Sequence, residues 1–195
     1  MSPSLMMRSD TAYTLNFLVY IQNLYLNQRS GQGEERYKFP YLSERKIPFL
    51  ADFEREFAKV WAEAASARIA EEPFHDLNMF KAHRELVYER LFVQEAGSDR
   101  HYDDIYRSFF AWWNSMAGRF ALEHAFDNQK VFDALTAAVS ANGGEIRKTF
   151  EISILYDACT LGEEKEFSYF AIMPYADCLL KEVFLVAKLR ACLNK

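Results

Sequence analysis

Cysteine is scarce and poorly arranged for chemistry. Cys159, Cys178 and Cys192 are the whole set, an odd number at spacings of 19 and 14. No Cys-x-x-Cys pair exists to grip zinc or to cycle as a dithiol. The pattern reads as free, largely buried thiols of a reducing compartment.

Histidine is nearly as sparse, with four residues: His75, His83, His101 and His124. No His-x-x-x-His or His-Glu-x-x-His occurs. The single Glu-x-x-His, Glu72 to His75, is interrupted by Pro73, which breaks a helix. A di-iron carboxylate bundle needs two such pairs on separate helices. No metal and no cofactor is therefore expected, and a Gly-x-Ser-x-Gly nucleophile elbow is missing as well. No catalytic residue is assigned.

Runs of positive charge are also lacking. The net charge is −5; residues 1–100 carry 13 basic and 15 acidic side chains, and the remainder 10 and 13. No basic stripe offers the surface that a phosphate backbone requires, so nucleic acid is not an expected partner. Long apolar runs are missing too. Leu15–Leu26 is broken by Asn16, Gln22 and Asn23, and it is too short to span a bilayer. A signal peptide would need a basic start and a small-residue cleavage site, which are not present. A cytoplasmic chain without a membrane partner is the expectation. Internal repeats and low-complexity segments do not occur.

Aromatic residues are abundant: 17 Phe, 11 Tyr and 3 Trp, or 16% of the chain. Such a composition implies a thick aromatic core or an aromatic-lined cavity. The apolar spacing predicts a series of helices. Asp10 is placed to cap the first, running to about Asn27. A loop at about 28–41 follows, expected to be mobile; its Gly31-x-Gly33 beside Arg29, Arg36 and Lys38 lacks the preceding strand of a phosphate-binding loop. A second helix begins near Ser43 or Pro48, with Phe49, Phe53, Phe57, Val60, Trp61 and Ala64 on one face, and ends near Glu71. Asp76 opens a third, closed by Gly97. Asp99 opens a fourth, through about Phe126, and Asp127 a fifth that ends at Asn142-Gly143-Gly144. The last covers Pro174–Leu193.

Phe109–Gly118 in the fourth helix is apolar or small almost all round, the mark of a buried central helix. Ala111, Ser115, Gly118 and Ala125 form a stripe of small residues on it. Between the fifth and last helices, Phe150, Ile152, Ile154 and Tyr156 alternate with Glu151, Ser153, Leu155 and Asp157, as in a strand, and 167–173 is similarly β-favouring. Thr160-Leu161-Gly162-Glu163 has instead the form of a capping box, which opens a helix. Both readings stay open. The fold class expected is mainly α: six to seven helices around a central apolar helix at about 99–126, in one domain over 1–195. A C-terminal β-hairpin at about 149–173 would make it α+β.

One group of residues is a candidate ligand pocket: Trp112, Asn114, Arg119 and Glu123 on the fourth helix, with His83 in the apolar setting of Met79, Phe80, Leu86 and Val87. Arg119 and Glu123 lie one turn apart and can pair. Partly buried beside tryptophan, that pair would anchor a small apolar or aromatic ligand. Solvated, it is an ordinary surface pair, and His83 is a core histidine. The leading expectation is a non-catalytic protein-interaction or regulatory module, of the inhibitor or immunity type. Its acidic balance suits a basic protein partner. A small-molecule sensor with an aromatic pocket near Trp112 is the alternative, and an enzyme without a recognisable motif is third.

Overall fold

The structure is a computed structural model. It describes residues 6–29, 38–41, 46–70, 87–95, 97–124, 127–141, 149–162, 168–180 and 182–193. Among them are seven helices and one three-stranded sheet, a mostly helical fold. The chain divides into two compact units. A helical unit holds Tyr13–Ser115 and Cys159–Glu163; a sheet unit holds Met1–Ala12, Met116–Ala158 and Glu164–Lys195.

In the helical unit, α1 (Tyr13–Arg29) is buried without interruption from Tyr13 to Leu24. Its polar residues are used internally. Gln22, fully buried, accepts from the backbone N–H groups of Thr160 (2.7 Å) and Leu161 (2.9 Å) and donates to Asn23 Oδ1 at 3.2 Å. Asn23 donates to the Phe39 carbonyl at 2.8 Å. One turn on, the Asn27 amide makes a two-way bond with the backbone of Lys38 (2.6 and 2.8 Å), and the Gln28 amide makes the same bond with Ile47 (3.0 and 2.7 Å). These amides bond backbone groups outside the helix, one way in which polar backbone packed against a core is satisfied. Gln22→Leu should destabilise by about 1–3 kcal/mol, the cost of leaving the Thr160 and Leu161 N–H groups unpaired. Chemical denaturation checks this, and an unchanged midpoint would mean that water replaces the amide.

The second helix, α2, runs Phe53–Ala70. It starts later than the expected Ser43 or Pro48, so Phe49 precedes it, but the aromatic face is present from Phe53 onward. Phe53 and Phe57 stack at 5.6 Å and Phe57 and Trp61 at 6.4 Å, with Tyr25 of α1 stacked on Phe53 at 4.1 Å. Residues 87–91 are helical, and Phe49 and Phe92 form an antiparallel bridge.

The next helix, α3, is Ser98–Trp113, and it corrects the expected central helix at 99–126. It buries Tyr102, Ile105, Phe109 and Trp113, at spacings of one helical turn, and leaves Phe110 exposed, so it has one inward face only. It ends early because polar side chains take its last carbonyls. Asn114 donates from both its backbone N–H and its side-chain amide to the Phe110 carbonyl, and Ser115 Oγ donates to that of Trp112. A wide π-type turn, Met116–Phe120, follows, with Gly118 in a non-helical conformation. The small-residue stripe is broken with it: Ala111 and Ser115 are exposed, Gly118 is buried, and Ala125 lies outside the described residues. The element buried all round is α1, not the stretch at 109–118. The expected Asp99 cap is absent also. Gly97 precedes the helix with φ +92°, and Asp99 accepts only from the N–H of Arg100, at 2.8 Å.

The sheet unit corrects the hairpin. β1 (Met6–Asp10), β2 (Thr149–Leu155) and β3 (Phe170–Pro174) lie in the order β1-β2-β3, and both pairings are parallel. A tight turn at Gly162 would give antiparallel strands, whereas parallel neighbours need a crossover of a dozen or more residues. Residues 156–169 supply it. Asp10 is the last residue of β1; it accepts from Ser153 Oγ of β2 at 2.7 Å. Central β2 is buried on both faces from Ile152 to Leu155, as expected of a strand with parallel neighbours. Phe150, Ile152 and Ile154 pack with Val131 and Leu135 of a helix at Asn128–Ser140 and with Leu185, Val186 and Leu189 of one at Glu182–Ala191. With Ala121–His124 as α4, these are α5 and α7, and Tyr175–Cys178 is α6. Asp127 caps α5 as expected, accepting from the Lys130 N–H at 3.1 Å.

Candidate functional site

The residues expected to form a pocket divide between the two units. Trp112 is half-buried in the helical unit, and its ring centroid lies 5.1 Å from Phe39, 6.2 Å from Tyr20 and 5.9 Å from Trp113. Beside it the Tyr20 hydroxyl pairs with Ser108 Oγ at 2.8 Å; burial pushes that phenol up, against the smaller opposing effect of the Ser108 bond. Asn114 is exposed and its amide is bound to its own helix end, so it has little to offer a ligand. Arg119 and Glu123 belong to the sheet unit. They pair at 3.4 Å with both side chains about half exposed, a solvated contact worth little. His83 lies outside the described residues, as do residues 30–37 of the expected mobile loop.

The thiols are held protonated. Burial pushes Cys159 up to about 12, partly offset by bonds from the Gly162 and Leu161 N–H groups. Burial and then the Asp177 carboxylate push Cys178 up to about 11, and burial raises Cys192. A protonated thiol is a poor nucleophile and a poor metal ligand, so these are packing residues at neutral pH. Among the described residues no cluster of three or more His, Cys, Asp and Glu is placed to hold a metal ion.

The Cys159 shift has a consequence for stability. Its folded pKa lies above its unfolded value, so stability is full below about pH 9 and falls as pH rises toward 12. The slope is at most about 1.4 kcal/mol per pH unit for one thiol. Urea unfolding at pH 8, 9 and 10 should show the decline, and Cys159→Ala should lessen it, leaving the part that Cys178 and Cys192 contribute. Equal slopes in the two proteins would show that Cys159 does not carry it.

One surface escaped the sequence reading. On α7 and in the turn that precedes it, two sets of apolar side chains point different ways. Leu185, Val186 and Leu189 enter the core of the sheet unit, while Leu179 (66% exposed), Leu180 (44%), Val183 (77%) and Phe184 (63%) face solvent. The signal was present in the sequence. Along 182–189 the apolar residues Val183, Phe184, Leu185, Val186, Ala187 and Leu189 occupy more of the helix circumference than one core can cover, and a helix apolar on most sides is normally covered on most sides. Contiguous exposed apolar patches on soluble domains mark contact sites.

Comparison with protein-family models, with curated proteins and with solved structures finds no match. No helix among the described residues is long and apolar enough to cross a membrane.

Proposed function

We propose that this chain is a protein-interaction module whose contact surface is the exposed apolar segment at 179–184, from the end of α6 into the first turn of α7. The observation that carries the reading is the exposed set Leu179, Leu180, Val183 and Phe184, four large apolar side chains within six residues. Placing such a set in a partner's groove removes from water roughly 25 cal/mol of unfavourable surface per Å² covered. Leu179 and Leu180 lie in the turn after α6, and Val183 and Phe184 in the first turn of α7. Protonated thiols and a solvated Arg119–Glu123 pair give an enzyme reading nothing to work with at these positions. A sensor reading has Trp112, but that ring packs on Phe39, Tyr20 and Trp113.

The test is a photo-crosslinker. Benzoylphenylalanine placed at position 184 in cells should give a discrete protein adduct, and at the exposed polar position 129 it should not. Val183→Ser with Phe184→Ser should abolish the partner's binding while leaving the unfolding midpoint within about 0.5 kcal/mol, as befits surface positions. Equal labelling at 184 and 129 would overturn the proposal.

A further inference from the structure

We draw no further inference here: the strongest candidate, the exposed apolar segment of Leu179, Leu180, Val183 and Phe184 from the end of α6 into α7, belongs to the surface already described, its flanking charges are paired within the sheet unit (Lys188 with Asp177, Lys130 with Glu182), and nothing in the structure shows what covers it.

Discussion

Phe109→Ala should destabilise the protein by about 3–5 kcal/mol, the range for removing a fully buried aromatic ring. Phe109 is 0% exposed and is the point at which α3 meets α1. Its ring lies 5.1 Å from Tyr13, 5.1 Å from Phe17 and 5.3 Å from Tyr20, three residues of α1, and 5.5 Å from Trp113 on its own helix. The Tyr13 and Tyr20 contacts are edge-on, the geometry that adds to area burial. Alanine would remove these contacts together and leave a cavity walled by rings that α1 holds in place. Phe109→Leu, which keeps most of the volume, should cost far less. Neighbouring Phe110, 49% exposed, is the control: its alanine variant should change stability by less than about 1 kcal/mol. Urea midpoints at unchanged slope measure all three. Near-equal losses at 109 and 110 would mean that α3 does not present the face described.

The same two residues show how far the sequence could be read. Phe109 and Phe110 sit in one apolar run, and composition alone cannot tell which points inward. Phe109 points inward because it lies one turn from Ile105 and from Trp113, which Phe110 does not; Asn114 and Ser115 then end the helix, through bonds to carbonyls that a helical wheel does not display. The α2 face was legible because Phe53, Phe57 and Trp61 repeat at one turn with charged residues between them. The α1 core was hidden by Gln22 and Asn23, which look like interruptions of an apolar helix. They are buried because they satisfy backbone far away in sequence, at Thr160 and Phe39. Strand alternation at 150–155 was legible too, but its pairing was not. The partner β1 lies about 140 residues earlier, and a five-residue strand with one face half-exposed carries little period. Of the pocket residues, Arg119 and Glu123 form the i, i+4 pair that spacing allowed, whereas Trp112 packs on Phe39 and Tyr20, which spacing does not bring to it. The exposed apolar segment at 179–184 went unread because apolar residues in a helical pattern are by default assigned to a core.

Gly162→Ala tests the turn that Gln22 holds. A Cβ built on Gly162 would lie 2.4 Å from Cδ1 and 2.6 Å from Cγ of Trp61, and 2.7 Å from Cys159 Sγ. None of these atoms is the free end of a flexible side chain. Trp61 is 5% exposed and stacked on Phe57, so its indole cannot swing aside without disturbing the ladder through Phe53 and Tyr25. The turn cannot retreat easily either, because the N–H groups of Thr160 and Leu161 are bound to Gln22. Overpacking of this kind costs about 1–3 kcal/mol and occasionally more; the upper part of that range is expected. Gly97 makes the contrast. A Cβ there meets nothing within 4 Å, but its φ of +92° is one that side chains resist, so Gly97→Ala should cost about 1 kcal/mol through the backbone alone. A double-mutant cycle separates the two causes. In a Trp61→Leu background the cost of Gly162→Ala should shrink by more than half, while that of Gly97→Ala should not change. A Gly162→Ala penalty that persists undiminished without the indole would mean that the turn requires glycine for its own conformation, and the close approach to Trp61 would not be its cause.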